Sequence, residues 1–347
     1  MTLEKVNITE LAKKAGISTS TISRAVNPET RGKVAAKTLK RIDSLLEKYS
    51  FTPNLAAKSL RKSSTKTIGL AFPYLPGIFY SPYYHHILAG VTDFLKDTEY
   101  QFKMLLLPED KKKWDHYDFR IGERVDGLIV VHWFKYFSKI SILENFGMPC
   151  VVINDIEDNS CVRFVGVDHT IGGQIAANYF YSAGHRNFAV LTGPAWSKDS
   201  HQRVTGFEEF LKKFDIHVNP EFMIMADFLE SRAYEEIDKF FKKKPPVTAL
   251  FCCNDQMAYG AIRRLKELGI FCPENISIVG FDDDPWSATS TPSLTTIQVP
   301  VYDLAKRAIQ SLIADLQNES FKASSRKQPL ILPVRLVERQ SVKKILL

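Results

Sequence analysis

Asn7-Ile8-Thr9-Glu10-Leu11-Ala12-Lys13-Lys14-Ala15-Gly16-Ile17-Ser18-Thr19-Ser20-Thr21-Ile22-Ser23-Arg24-Ala25-Val26-Asn27 reads as two short helices about a tight turn. Asn7 followed three residues on by Glu10 has the form of a capping box. Leu11, Ala12 and Ala15 mark the apolar side of the first helix, and Gly16 makes the turn. Ser18 is a good N-cap for the second helix, whose buried side is Ile22 and Val26. A third helix carries Leu39, Ile42, Leu46 and Tyr49 at spacings of three and four. Three short helices with a glycine turn between the first two predict a helix-turn-helix unit. The outward side of the second helix presents Thr19, Ser20, Ser23, Arg24 and Asn27, with Ser18 and Thr21 beside them. In this motif that helix lies in the major groove, and Arg suits bidentate contact with guanine. A polar solvent face would look the same, so the context has to decide.

Charge is the first part of that context. The net charge is +7, and residues 1–66 hold 14 Lys and Arg against 5 Asp and Glu. The remaining chain holds 32 basic against 34 acidic residues. A compact basic module ahead of a near-neutral body is the electrostatic footprint of a nucleic-acid binder. The second part is the stretch Pro53-Asn54-Leu55-Ala56-Ala57-Lys58-Ser59-Leu60-Arg61-Lys62, followed by Ser63-Ser64-Thr65-Lys66. It is a helix too short to be stable alone in water, followed by a polar linker. Such a segment suits folding on DNA, with Leu60 wedged between base pairs.

Residues 8–70 resemble the head of the lactose-repressor (LacI/GalR) family. The likeness rests on Ile8-Thr9-Glu10-Leu11-Ala12, Ala15-Gly16-Ile17-Ser18, Thr21-Ile22-Ser23-Arg24-Ala25-Val26-Asn27, Pro53-Asn54, Ala57-Lys58-Ser59-Leu60 and Ile68-Gly69-Leu70. The resemblance implies that residues at the Thr19, Ser20 and Arg24 positions help select the operator. It also implies that Asn54, Ala57, Lys58, Leu60 and Arg61 belong to a hinge helix in the minor groove. Two departures stand out: Thr38-Leu39 replaces the family's Thr-Arg, and the stretch from Asn27 to Val34 looks one residue longer than in some members.

From residue 67 onward, short β-rich apolar runs alternate with helical stretches, which predicts an α/β body with parallel sheets. Strands are expected at Thr67–Phe72, Phe102–Leu107, Gly127–His132, Cys150–Asn154, Phe188–Thr192, Val247–Cys252, Ile276–Gly280 and Leu330–Leu332. Helices are expected, for example, at His85–Leu95, Gly172–Ser182, Gln202–Phe214, Ala233–Lys242 and Gln256–Leu268. The body is too long for one comfortable sheet, so two lobes with a cleft at the strand ends are expected. Asp126-Gly127-Leu128-Ile129, Gly184-His185-Arg186, Arg203-Val204-Thr205-Gly206-Phe207, Cys253-Asn254-Asp255, Val279-Gly280-Phe281-Asp282-Asp283 and Leu294-Thr295-Thr296-Ile297 resemble the same family, in family order. The resemblance implies a periplasmic-binding-protein-like body. The expected parts are a helix-turn-helix head at 1–53, a hinge helix and linker at 54–66, and a ligand-binding and dimerisation body at 67–347. Within the body, lobe 1 is expected at 67–167 and 300–321, and lobe 2 at 168–297 and 322–340.

Charged, amide and aromatic groups at strand ends converge on the cleft in this architecture. Arg203, Asn254 and Asp282 can make paired hydrogen bonds to sugar hydroxyls, and Phe228 can cover a sugar's apolar face. The resemblance names these four as effector contacts, with Tyr83, Ser81 and Asp155 as weaker ones. Each has a bland reading as well: Asp282 as a helix cap, Phe228 as core. Trp133 and Trp196 read equally as stacking platforms and as core. Asp282-Asp283-Asp284 does not read as a metal site, because consecutive carboxylates point apart and no ligand follows at metal spacing. No cofactor is expected.

The expected function is a cytoplasmic DNA-binding repressor, not an enzyme. Its partners would be double-stranded operator DNA, a second copy of itself and a small effector read as a sugar. A purine or a partner protein in the effector role stays open. The N-terminus shows no apolar segment typical of export, and no transmembrane run occurs. The five cysteines (Cys150, Cys161, Cys252, Cys253 and Cys272) form no CxxC pair and read as buried thiols. There is no GxGxxG after a strand, no P-loop and no GxSxG, which removes the usual enzyme signatures.

Overall fold

The computed structural model describes residues 8–26, 31–49, 64–74, 78–107, 110–135, 137, 139–157, 160–318, 321 and 325–345. The chain divides into two compact units, Met1–Thr65 and Lys66–Leu347.

In the first unit, α1 (Ile8–Ala15), α2 (Thr19–Val26) and α3 (Ala36–Lys48) enclose a small core. Leu11, Ile22 and Ile42 are each almost fully buried there, with Leu39, Leu46 and Tyr49 packed against them. Gly16 adopts φ +60°, the left-handed turn that the sequence requires of it. Ser18 caps α2 by accepting the Thr21 amide at 3.2 Å. Arg31 closes the loop before α3 by donating to the Ala25 carbonyl at 2.8 Å and pairing with Asp43 at 2.6 Å.

The second unit holds two six-stranded sheets built on one plan. The strands are β1 (Thr67–Pro73), β2 (Gln101–Leu107), β3 (Gly127–Val131), β4 (Cys150–Ile153), β5 (Arg163–Val167), β6 (Phe188–Thr192), β7 (Met223–Met225), β8 (Ala249–Cys252), β9 (Ser277–Asp282), β10 (Thr295–Gln298), β11 (Leu330–Leu332) and β12 (Arg335–Val337). The first sheet runs β2-β1-β3-β4-β5-β11 and the second β7-β6-β8-β9-β10-β12. All pairings are parallel except β10 with β12. Strands β3, β4 and β8 are buried at every residue, as sheets covered on both faces require.

The covering helices show the 3.6-residue period. In α4 (Pro82–Leu95), Tyr84, Ile87, Val91 and Leu95 form the buried stripe. The others used below are α5 (His169–Ser182), α6 (Lys198–Lys212), α7 (Glu230–Phe241), α8 (Asp255–Glu267) and α9 (Val301–Gln317). The chain crosses between the lobes three times: β5 to α5 through Asp168, β10 to α9 after Gln298, and β11 to β12 after Leu332.

The structure differs from the sequence expectation in three respects. Strands β5, β7, β10 and β12 were not expected; β7, β10 and β12 have only three or four residues, while β5 is as long as the expected β3 and β6 and was simply missed. Helices α4 to α8 begin one to four residues earlier than expected, with Asp168, Ser197 and Asn254 as side-chain caps of α5, α6 and α8. Residues 322–340 do not all join the second lobe: β11 pairs with β5 of the first sheet, and only β12 reaches the second. The crossing therefore lies after Leu332, a pairing that only long-range hydrogen bonds define.

Helices α5 and α6 touch backbone to backbone. A methyl at Gly173 would lie 2.0 Å from the Arg203 carbonyl oxygen, and one at Gly206 would lie 1.9 Å from that of Thr170. No rotamer relieves such a clash, so the helices must part. G173A and G206A should each destabilise the body by about 2 kcal/mol or more. That corresponds to a Tm loss of roughly 4–8 °C. A melting curve that matches the parent would disprove the close contact.

Candidate functional site

In doubly wound sheets the cleft forms beyond the carboxyl ends of the strands, where neighbouring crossovers diverge. Here that point falls between β1 and β3 in one lobe and between β6 and β8 in the other. The chain leaves these strands through Ser81 and Tyr83, His132, Pro194 and Asn254, and all five line a single cavity of about 930 Å³. The volume lies in the range of small-molecule sites.

The strand ends around this cavity are strained. His132, Asn154, Asp155, Asp227, Phe228, Asp282 and Asp283 all have positive φ, between 47° and 115°. Left-handed backbone is uncommon outside glycine; Asn, Asp and His adopt it more readily than most, and it is least expected at a bulky residue such as Phe228. Such strain persists only where surrounding structure over-determines it, and it concentrates at functional sites. It turns Phe228 so that its ring faces Gly193, where even a methyl would meet the ring at 2.3 Å.

Arg203 is the centre of the floor and is 4% exposed. Its Nη1 lies 3.3 Å from Asp282 Oδ1, and the same nitrogen donates to the Cys253 carbonyl. Its Nε donates to His169 Nδ1 at 3.2 Å. The guanidinium stacks 3.9 Å from the centre of the Phe281 ring. One side chain thus joins the ends of β8 and β9 to His169, the first residue after a lobe crossing.

A second polar set lies beside it. His132 Nδ1 contacts Asp155 Oδ2 at 3.3 Å, and the His132 ring stacks on Tyr83 with centroids 6.0 Å apart. Asn154 Nδ2 donates to the Tyr83 hydroxyl at 2.9 Å and, across the lobes, to Asp199 Oδ2 at 3.4 Å. Asp199 in turn meets His169 Nε2 at 3.3 Å. Burial works against the charge on Asp199, but His169, His132 and Arg203 hold its carboxyl below the usual range. Burial lowers His169 despite Asp199. Burial and the Asp199 charge push Asp155 up to about 6, while Asp155 lifts His132 against its own burial. Burial raises Asp282 to about 7; Arg203 opposes this, and Asp284 and Asp199 add to it.

Of the seven expected effector contacts, Arg203, Asp282, Asn254, Phe228, Tyr83 and Ser81 line the cavity. Asp155 is corrected: it is 3% exposed and sits behind His132, because the left-handed turn after β4 carries its carboxylate inward. Asn254 also holds structure, accepting the Met257 amide at 2.9 Å and donating to the Phe228 carbonyl at 3.1 Å. Trp196 lines the cavity with Lys135 Nζ 4.0 Å above its ring, whereas Trp133 is core. His132, Asp199 and Gln256 line the cavity too and were missed. A polar residue immediately after an apolar strand would have flagged His132; nothing local marks Asp199. The three consecutive aspartates have separate partners: Arg203 for Asp282, Arg339 for Asp283, and Gln256 with Tyr259 for Asp284. In the first unit, Ser20 and Arg24 lie on the exposed side of α2, with Thr19 and Thr21 half-exposed. Ser23 lies on the same helix. Asn27, Asn54, Ala57, Lys58, Leu60 and Arg61 lie outside the described residues.

Comparison with known proteins agrees with this architecture. Residues 7–54 match the family described as bacterial regulatory proteins, lacI family, and residues 177–342 match a periplasmic binding protein-like domain. The chain is 31% identical over 345 residues to the HTH-type transcriptional repressor PurR of Haemophilus influenzae (strain PittEE), covering 98% of this chain and 99% of that one. It is 32% identical over 318 residues to PurR of Aliivibrio fischeri (strain MJ11), covering 90% and 92%. Among solved structures, the lac repressor dimer bound to operator and the anti-inducer ONPF superposes with a TM-score of 0.82 at 22% identity, covering 98% of this chain and all of that one. The transcriptional regulator CelR in complex with cellobiose gives 0.70 at 22% identity, covering 97% and 100%. A LacI family regulator from Enterococcus faecium with bound ribose gives 0.68 at 23%, covering 80% and 99%.

Asp282 holds its proton more tightly folded than unfolded. Its ionisation therefore weakens the fold as pH rises from about 4 to about 7. D282N removes that burden. Above pH 7 the variant should be more stable than the parent by roughly 1–3 kcal/mol, the gap closing toward pH 4. Denaturant titrations across pH read this directly, and a gap independent of pH would clear Asp282 as its source.

Proposed function

The chain belongs to the lacI family of bacterial regulatory proteins, and from that premise we propose how it works. It is a DNA-binding transcriptional repressor and not an enzyme. In our reading the exposed side of α2 enters the major groove, where Arg24 reads a base and Thr19, Ser20 and Ser23 contact bases or phosphates. The segment with Asn54, Ala57, Lys58, Leu60 and Arg61 enters the minor groove, and Leu60 opens a base step. Two copies bind a near-palindromic operator. The cytoplasm, where the bacterial chromosome lies, is where it acts.

The ligand reading rests on one observation: a buried guanidinium, Arg203, holds Asp282 at the floor of a cavity walled by Phe228, Trp196 and Tyr83. Paired polar groups below and aromatic faces around suit a sugar, which has hydroxyls on its edge and an apolar face. The sugar-bound structures of CelR and of the Enterococcus faecium regulator support that choice. The name PurR on the repressors of Haemophilus influenzae and Aliivibrio fischeri favours a second reading, a purine lying flat on the same aromatics.

Ligand contact with Arg203 changes the force on His169, and His169 begins α5 directly after a crossing between the lobes. The lobes then rotate and operator affinity shifts. Couplings of this kind amount to about 1–3 kcal/mol, or roughly 5–150-fold.

R203A should bind operator like the parent but lose the response to the cognate ligand. A response titration that overlays the parent's removes Arg203 from the site. R24A should relax base preference at one position in each half-site by about 1–3 kcal/mol. An equal drop on every sequence would make Arg24 a phosphate contact. Leu60→Gly should leave the body folded and abolish the specific footprint, and an unchanged footprint would sink the wedge.

A further inference from the structure

Building on the cleft reading, we infer that the cavity selects its ligand by charge and by hydrogen-bond donors. The ligand is an uncharged or amine-bearing, donor-rich molecule, and its phosphorylated or acidic counterparts are rejected. The first ground is the set of unmet groups on the floor. Asp199 and Asp282 both line the cavity, and Oδ1 of each is buried with no hydrogen-bond partner. Asp282 Oδ1 lies 3.3 Å from Arg203 Nη1, an ion-pair distance without hydrogen-bond alignment. Asp199 is 5% exposed, and its other oxygen already faces His169 and Asn154. Asp199 Oδ1 needs a donor throughout, and Asp282 Oδ1 needs one whenever its carboxyl is ionised. Hydroxyl, amine and ring N–H groups supply such donors, whereas a phosphate or carboxylate brings only further acceptors at neutral pH.

The second ground is how the cations are placed. Both arginines in the wall face carboxylates: Arg203 faces Asp282, and Arg263 pairs with Glu230 at 2.8 Å. Lys198, next to Asp199 in sequence, turns away to Glu157 at 2.9 Å and to the Ile156 carbonyl at 2.7 Å. Asp227 and Glu230 add two more carboxylates to the wall. His169, with its pKa lowered by burial, faces Asp199 but supplies little positive charge at neutral pH. His132 also lines the cavity with its pKa raised, but Asp155 already faces it at 3.3 Å. Among the described residues of the wall, an anion beside Asp199 and Asp282 would find no cation that does not already face a carboxylate, and a buried charge without a partner is strongly disfavoured.

The test is thermal shift of the full chain against matched sets. Each set pairs an uncharged or amine-bearing compound with its anionic counterpart: glucose and glucosamine with glucose 6-phosphate and glucuronate, ribose with ribose 5-phosphate, cellobiose with cellobionate, and hypoxanthine and adenine with their nucleotides. The same sets are run on D199N, R203A and Phe228→Gly. The glycine suits the left-handed φ of position 228, so that variant removes the ring without straining the backbone. The expected hit is uncharged or amine-bearing, with its anionic counterpart at least about 10-fold weaker. D199N should weaken the hit at least about 10-fold, and an amine-bearing hit most of all. A purine-base hit with silent nucleotides keeps this inference and moves the ligand to the second reading. A stronger anionic hit, a hit indifferent to D199N or a flat panel overturns it. A shift that survives both R203A and Phe228→Gly arises outside the cleft and overturns the cleft reading itself.

Discussion

The buried guanidinium of Arg203 is the constraint on which the ligand-binding body turns. A charge so far from water survives only with acceptors and a counter-charge close by, and here they come from three places: the Asp282 carboxylate at the end of β9, the Cys253 carbonyl at the end of β8, and His169 at the start of α5. Moving any one of these elements unpairs the charge. The contact between α5 and α6 serves the same end, because Gly173 and Gly206 let the backbone that carries Arg203 come within reach of His169. Packing sets the distance, and the distance keeps the charge satisfied.

Around that centre the protein accepts instability. Seven residues at the strand ends hold left-handed backbone, Asp282 carries a carboxyl raised to about 7, and two carboxylate oxygens of the cavity lining, Oδ1 of Asp199 and of Asp282, have no hydrogen bond. None of this aids folding. Each feature aims a side chain or leaves a polar atom facing the cavity, where a ligand can repay it. Strain and unmet polarity at one location, on a scaffold whose central strands are buried and regular, mark a binding site rather than a defect.

The two lobes meet through side chains as well as crossings. Asn154 of the first reaches Asp199 of the second, Lys198 reaches back to Glu157, and Trp196 lies under Lys135. These contacts surround the cavity, so a ligand that displaces or reinforces them alters the balance between lobe arrangements. A site at the junction of two rigid sheets can in this way transmit a small local change as a rotation of whole lobes.

The sequence by itself determined the three-helix head, because Leu11 with Ala15, Ile22 with Val26, and Leu39 with Ile42, Leu46 and Tyr49 recur at helical spacing and Gly16 and Ser18 punctuate them, all local signals. It likewise determined the longer strands and helices of the body, and Asn254 and Asp282 as cleft residues, since each follows an apolar run; Arg203 is marked by the glycine-proline loop before it and by the family resemblance. It could not reveal β7, β10 and β12, whose three or four residues are strands only because neighbours hydrogen-bond to them. Nor could it reveal that β11 closes the first sheet, that Asp155 points inward, or that Asp199 meets His169 and Asn154. Those facts depend on residues brought together from distant parts of the chain and on backbone turned left-handed against local preference. Local propensity has no access to either, so tertiary structure alone decided the polarity of the cavity floor.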